Sequence, residues 1–357
     1  MENTLFVSKK ITISDYTTGW SAPSNIALIK YWGKEKNQIP KNPSLSFTLS
    51  KSVTETTIEF FPKEGASGLT FDFFFEGMSR PEFLPKLNSY FEKICPYVPW
   101  LEHCHLIIQS KNTFPHSSGI ASSASAMAAL SAGIMDMEQH LFPELNKNEF
   151  FQKASFLARL GSGSAARSLQ GPLTIWGKTS VTPFATDDFA NLLIDKVHPI
   201  FNTYQDTILL VDKGSKTVSS SQGHQLMNGH PFAHKRFEQA HENLKRILSA
   251  IQIGDLNAFI AVVESEALTL HAMMMTSQPY FILIEPNTLE IIHKVWNFRK
   301  ETDLPLCFTL DAGANVHLLY PENIKTKVLP FISAELSRFC QEGHYILDEV
   351  GHGIKKL

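Results

Sequence analysis

Cysteine is scarce in this chain of 357 residues: there are four, at Cys95, Cys104, Cys307 and Cys340, and none forms a CxxC pair. That spacing excludes a disulfide-framed scaffold and points to reduced thiols in a cytoplasmic protein. The "HCH" at His103–His105 has no second ligand cluster behind it, so no structural metal is expected. Net charge is small, −3 with histidine neutral, which excludes a general attraction for nucleic acid or anionic membrane. An anionic ligand must therefore be held by a local site. Long apolar runs are missing as well. The stretch "MENTLFVSKKITISDY" lacks the apolar core of a signal peptide, and no uninterrupted run approaches the ~18 residues of a membrane span. There is no repeat at solenoid spacing and no low-complexity tract. A GxxxxGK[ST] motif is absent, which excludes a P-loop, and no GxGxxG follows a strand to mark a dinucleotide site.

What is present is the composition of a globular enzyme, 43% apolar and 19% charged, at a length that suits two domains or one large one. The first half reads as strands punctuated by turns. "TETTIEFF" (Thr54 to Phe61) and "LTFDFFF" (Leu69 to Phe75) both alternate and are expected to form an antiparallel hairpin across "PKEGASG". "HLIIQS" (His105 to Ser110) predicts a strand, "FFQKASFLARL" a helix ending near Gly161, and "GPLTIWG" another strand. The pattern loosens between about Phe184 and Thr207, which places a division into residues 1–195 and 196–357. Beyond it, "TILLVDKG" reads as strand and the segment from Phe232 to Ser277 as two long helices broken near Gly254. "NTLEIIHKVWNFRKE" follows as a helix and "LCFTLDAGANVHLLY" as strand, turn, strand. Without a regular βαβ rhythm, the expected class is α+β. Met273 to Met275 read as core.

Three Ser/Gly-rich stretches stand at the entrances of helices or strands. In "FPHSSGIASSAS", Ser117, Ser118, Gly119, Ser122 and Ser123 precede an alanine-rich helix. Helix N-termini present unpaired N–H groups and a favourable dipole to anions, and glycine lets a ligand approach the backbone. An ordinary helix of small residues packed on a sheet accounts for the same composition. "GSGSAARS" (Gly161 to Ser168) repeats the pattern and adds Arg167, and "KGSKTVSSSQG" (Lys213 to Gly223) adds two lysines. Together they favour a ligand carrying several phosphates. A fourth segment, "SAPSNIALIKYWGK", sets Lys30 directly after an apolar run, where a lysine can also snorkel to the surface.

"APSNIALIKYWGK", "FPHSSGIASSAS", "RLGSGSAARSLQG", "KTVSSSQG" and "FTLDAGANVHLL" resemble, in order, the motifs of diphosphomevalonate decarboxylases. These belong to the galactokinase, homoserine kinase, mevalonate kinase and phosphomevalonate kinase (GHMP) superfamily. The resemblance spans residues 21 to 320. It implies a two-domain α+β fold, an N-terminal domain like the second domain of ribosomal protein S5 and a C-terminal α/β sandwich, with the site in the cleft between them. It also implies ATP-dependent conversion of 5-diphosphomevalonate to isopentenyl diphosphate, carbon dioxide, ADP and phosphate, with ATP and Mg²⁺ required. By the same resemblance, Asp311 is the catalytic aspartate, Lys30 its neighbour, and Arg167 the partner of the substrate carboxylate. Asn25, Tyr31, Lys34, Ser162, Gly163, Ser164 and Ser220 fall on the substrate side. Ser117, Ser118, Gly119, Ser122 and Ser123 fall on the nucleotide side, with Ser122 at the metal. The resemblance further implies a homodimer acting on a small molecule, with no nucleic-acid or membrane partner.

Three loops beside the ligand depart from the family pattern, at His116 and Ser117, at Pro43, and at His224 where the family has methionine. Substrate preference turns on them. A phosphomevalonate decarboxylase, a mevalonate 3-kinase and a non-catalytic ligand sensor stay open as alternatives. Retention of both Lys30 and Asp311 favours the decarboxylase.

Overall fold

Two long strands, β1 (Tyr16–Ile29) and β2 (Ser44–Pro62), form the spine of the molecule. They pair antiparallel from Tyr16↔Phe60 to Ile29↔Leu45, with register shifts at Pro23/Asn25 and Ala27/Ile29. Their outer halves bury one face. Residues 22–29 and 44–49 are buried on both faces, because a second layer covers them there. The computed structural model describes every residue except 1–5, 10, 12, 64–67, 116–119, 194–196 and 215–219 and the side chains of Ser220 and Ser221.

β3 (Thr70–Phe75) does not form the expected hairpin with β2. β5 (Cys104–Asn112) pairs antiparallel with β2, and β3 pairs parallel with β5, with β4 (Met78–Ser79) closing that edge. The inward side chains of β5, Cys104, Leu106 and Ile108, are enclosed, whereas β3 is only partly covered. β5 thus takes the interior position and β3 is left towards the edge. Helix α1 (Leu84–Ile94) carries the parallel crossover. Beside the inner half of β2 lie β6 (Leu173–Trp176) and β7 (Asn191–Leu192).

Helices α2 (Ser122–Leu141) and α3 (Lys147–Gly161) pack beside this sheet, α2 directly on β1 and β2. The small residues of α2 have a packing reason: a Cβ on Gly133 would lie 2.6 Å from Ile58 Cδ1. α3 opens on a capping box, Asn146 accepting from the Glu149 amide while the Glu149 carboxylate accepts from the Asn146 amide.

The second sheet has the order β11-β8-β10-β9, all antiparallel, from β8 (Gln205–Leu209), β9 (Cys307–Leu310), β10 (Val316–Tyr320) and β11 (Tyr345–Glu349). Its helices are α4 (Ser220–Gln225), α5 (Ala233–Ile253), α6 (Leu256–Met275), α7 (Pro286–Thr302) and α8 (Lys325–Phe331). The break between α5 and α6 falls at Gly254, whose φ of 77° is left-handed, and Asp255 caps α6 by accepting from the Ala258 amide. By length and averaged composition α6 could cross a bilayer, although no uninterrupted apolar run reaches that length. Here it is largely a core helix, packed against α5 and β9, with Glu264 and Glu266 buried in ion pairs. Met273 and Met274 are core as expected, but Met275 is exposed. The chain ends in β12 (Lys355–Lys356), which returns to the first sheet and pairs with β1.

The two layers meet where Ile26, Leu28 and Phe47 of the spine pack against Phe201, Tyr204 and Phe259. The result is an α+β fold of two sheet-based units. The described parts of the sequence motifs that carry Lys30, Arg167 and Asp311 lie at the junction between them.

Candidate active site

Lys30 follows directly on β1 and does not snorkel to the surface. It is 2% exposed, and its Nζ lies 3.1 Å from Asp311 Oδ1. Asp311 leaves the end of β9 on the turn to β10, its side chain about a quarter exposed at 28%. Two residues 281 apart in sequence thus form an ion pair across the junction. Burial pushes the Lys30 ammonium below the ordinary lysine range, and Asp311 works against that fall.

Arg167 lies in the short helical turn Gly163–Ser168 that follows α3. Its Nε donates to Ser46 Oγ at 3.0 Å, NH1 to Ser44 Oγ at 2.7 Å and NH2 to Asn25 Oδ1 at 3.2 Å. All three acceptors are neutral, and among the described residues no carboxylate comes within ion-pairing distance. Burial lowers its pKa to about 10, opposed by the charge of Asp311. Asn25 fixes this arrangement from β1, donating to Ser168 Oγ at 2.8 Å and to the Ser164 carbonyl at 3.1 Å. The nearby register shift in β1 is a device that re-aims side chains beside functional sites.

Tyr31 and Trp32 continue the chain past Lys30, both buried. Gly163 is required by Tyr31, since a Cβ there would come within 2.6 Å of the phenol oxygen. The His224 ring packs against both aromatics, at 4.2 Å and 4.9 Å between centroids, and its Nδ1 accepts the Gly33 amide at 3.0 Å. Burial lowers the His224 pKa to about 3, with Lys34 and Arg167 adding to the effect. Lys34 donates to Gln38 Oε1 at 2.8 Å, and burial lowers its pKa too.

Ser122 and Ser123 open α2 and line a cleft. Ser123 Oγ lies 3.3 Å from Ser162 Oγ, which joins the first two Ser/Gly-rich segments. The helix begins at Ala121 in the left-handed conformation, with no side-chain cap and no acidic residue in its first turn. Phe73, Phe83, Leu87 and Met127 give the cleft an apolar wall, with Asn112 and Lys86 also in the lining. An apolar slot leading to an acid-free helix start suits a flat base at one end and phosphates at the other. Among the described residues no group of three or more His, Cys, Asp or Glu could hold a metal ion. Hard oxygen donors at this mouth come from the serine hydroxyls. Ser117, Ser118 and Gly119, and the Ser220 side chain, lie outside the described residues.

Sequence reasoning missed the support beneath the site. Glu266 of α6 accepts from Arg236 NH1 at 2.9 Å and NH2 at 2.5 Å, from Asn243 at 2.7 Å, and from the Lys30 amide at 2.9 Å. Asn42 donates to the Lys30 carbonyl at 2.9 Å. The backbone of Lys30 is thereby clamped on both sides. Nothing local in the sequence marks these residues, and Ser44 and Ser46 carried only the motif "PSLS" as a signal.

A paired amine and carboxylate, an arginine fork with neutral partners and an uncapped serine-rich helix start, set between two α+β units, define a protein of the GHMP superfamily. A family model for the diphosphomevalonate decarboxylase-like N-terminal domain matches residues 22–188, and one for the mevalonate 5-diphosphate decarboxylase C-terminal domain matches residues 207–349. The diphosphomevalonate decarboxylase of Candida albicans is 30% identical over 332 residues, covering 89% of this chain and 88% of that protein. The chain belongs to the diphosphomevalonate decarboxylase family. Among solved structures, the mevalonate diphosphate decarboxylase of Staphylococcus aureus superposes with a TM-score of 0.82 at 28% identity, covering 96% of this chain and 98% of that one. A neighbour solved in complex with MVAPP, AMPPCP and magnesium gives 0.81 at 26% identity, covering 96% and 99%.

Proposed function

We propose that this protein is an ATP- and Mg²⁺-dependent diphosphomevalonate decarboxylase that forms isopentenyl diphosphate, with the residues above in the following roles. The observation that carries the assignment of roles is the charge balance of the site. Two buried cations, Lys30 and Arg167, share one partly exposed carboxylate, Asp311, so the pocket lacks negative charge until an anionic ligand enters.

The substrate is a 3-hydroxy acid with a tertiary alcohol. Hydroxide is a poor leaving group, so loss of carbon dioxide waits until that oxygen carries a phosphoryl group. ATP supplies the phosphoryl group and Mg²⁺ neutralises charge on the phosphates. When phosphate then departs it takes the C–O electron pair, the carboxylate leaves as carbon dioxide, and the alkene forms without an organic electron sink.

Asp311 takes the proton of the alcohol. A carboxylate is a weak base for a tertiary alcohol, so the proton moves late, as a loose phosphoryl transfer allows. Lys30 pairs with Asp311 and balances charge on the oxygen it faces. Arg167 meets the substrate carboxylate with its planar fork, replacing in part the hydroxyl partners it now has. Tyr31, Lys34 and the Ser162–Ser164 segment hold the diphosphate, and Asn25 steadies Arg167. Ser122 and Ser123 receive the nucleotide phosphates and Ser122 the metal, while the apolar wall of the cleft takes the base. A homodimer in the cytoplasm is the assembly and location consistent with this reading.

Incubation with ATP, Mg²⁺ and mevalonate, its 5-phosphate or its 5-diphosphate in turn tests the proposal. ADP and carbon dioxide are expected together from the 5-diphosphate. ADP without carbon dioxide would make the protein a 3-kinase, release from the 5-phosphate alone a phosphomevalonate decarboxylase, and binding without ADP a sensor. Asp311→Asn is expected to bind both substrates and lose turnover by ~10²–10⁴-fold. Near-normal turnover in that variant would remove Asp311 from its role.

A further inference from the structure

We propose that His271 is a positioning residue for Asp311: its Nε2–H holds the Asp311 carbonyl and so fixes the turn that aims the carboxylate at Lys30. The proposal rests on the reading of Asp311 as the proton acceptor given above. His271 stands in the last part of α6, 2% exposed, with Nε2 at 3.1 Å from the Asp311 carbonyl oxygen. A carbonyl can only accept, so Nε2 carries the hydrogen and Nδ1 is the bare acceptor. That Nδ1 is enclosed with no hydrogen-bond partner. Burial lowers the pKa of the ring to about 4, which keeps it neutral and in this one tautomer at neutral pH.

The carbonyl of Asp311 is held twice. Gly313 donates to it from within the turn at 2.8 Å, and His271 donates from a different element. The far end of the same turn is pinned as well. Thr288 of α7 donates to the Ala314 carbonyl at 2.6 Å, and the Asn315 side chain exchanges two bonds of 2.9 Å with the backbone of Asp212. His271 is the anchor at the aspartate end. The Lys30–Asp311 pair spans two units of the fold, so a small rotation of the turn would part the carboxylate from the amine.

The orphaned Nδ1 separates this role from a packing role. A buried acceptor without a donor is destabilising, and an apolar side chain of similar size removes that penalty while losing only the Nε2 donor. Stability and catalysis are then expected to move apart. His271→Leu should keep or raise the melting temperature. It should lower kcat by about 10- to 100-fold, the scale of a misplaced catalytic group, while KM for ATP and for the 5-diphosphate stays within about 2-fold. Peptide-level deuterium uptake over residues 308–316 should rise. His271→Gln, whose amide nitrogen can reach the same carbonyl, should restore kcat to within a few-fold of wild type and return the uptake to its original level.

Unchanged kcat in His271→Leu would overturn the proposal, as would a joint fall of melting temperature and kcat that His271→Gln does not reverse. If the wild-type protein fails to turn over the 5-diphosphate, the functional reading fails. The uptake comparison among the three proteins then decides the positioning claim alone: equal uptake refutes it.

Discussion

Arg236 and Arg167 are both buried, each 2% exposed, and their surroundings differ in one respect. Arg236 meets Glu266, both side chains fully enclosed, through two hydrogen bonds. Arg167 meets two serine hydroxyls and an amide oxygen. The first pair is complete within the protein and braces the backbone of Lys30. The second leaves a cation in a dry site with no carboxylate in ion-pairing range among the described residues, Asp311 acting on it only from further off, an arrangement that is costly until an anion arrives. On the proposed function, the partners of a buried charge distinguish a structural pair from a ligand site more sharply than burial does.

The largest effect that would sharpen this contrast is on stability. Glu266→Gln leaves Arg236 buried without a carboxylate and is expected to cost about 3–5 kcal/mol, read from chemical denaturation. A loss below about 1 kcal/mol would mean that Arg236 finds another partner and that the two arginines are not different in kind. Arg167→Lys should show the opposite signature. Its stability should change little, because no internal ion pair is broken. Turnover should fall by roughly 10²-fold, because an ammonium cannot grip a carboxylate with two parallel bonds. Equal turnover would show that a point charge suffices there.

The contrast also marks what could be read from the sequence. "LCFTLDAGANVHLLY" announces two short strands around a glycine turn, and Gly254 announces the break between α5 and α6, because both signals are local. The convergence of Lys30, Arg167 and Asp311 was legible only through the order of the motifs. No periodicity brings residues 281 apart into contact. Pairing of β3 was misread for a related reason. Alternation identifies a strand and the face it buries, but not which neighbour wins the interior place. Glu266 and Arg236 look like ordinary helix charges, and only tertiary packing reveals that both side chains are fully enclosed. The serine-rich start of α2 was partly legible. The small residues of α2 serve both packing on the sheet and an open helix start, and composition does not separate these uses.

An effect of comparable size follows from the two neutral histidines beside the site. His224 and His271 have pKa values of about 3 and about 4, against an ordinary value of 6.5. Between those limits the unfolded chain binds protons that the folded protein refuses. Stability is therefore full above pH 6.5 and falls as pH drops, by on the order of 1.4 kcal/mol per pH unit for each ring, until each folded value is passed. Denaturation midpoints measured from pH 7 to pH 4 should show this fall, and His224→Met should remove roughly half of its slope, the His271 share remaining. Parallel slopes in the two proteins would mean that His224 ionises without penalty.

The smallest effect concerns the C-terminus, where a charge pair lies near the surface and not under the site. Lys356 donates to Asp136 at 3.0 Å and pairs with its other oxygen at 2.8 Å, while the Leu357 amide donates to the Gly19 carbonyl at 2.9 Å. Lys356 is 54% exposed, so solvent screens the pair and its loss should cost only about 0.5 kcal/mol. Asp136 also accepts from Thr18 at 2.5 Å and Tyr16 at 3.0 Å, so Lys356→Ala leaves the carboxylate with partners. The same removal of one charged partner that unsettles the Arg236 pair should here barely move the denaturation midpoint. A cost near that of Glu266→Gln would show that the return of β12 to the first sheet depends on this pair, and that exposure is a poor guide to the strength of ion pairs in this fold.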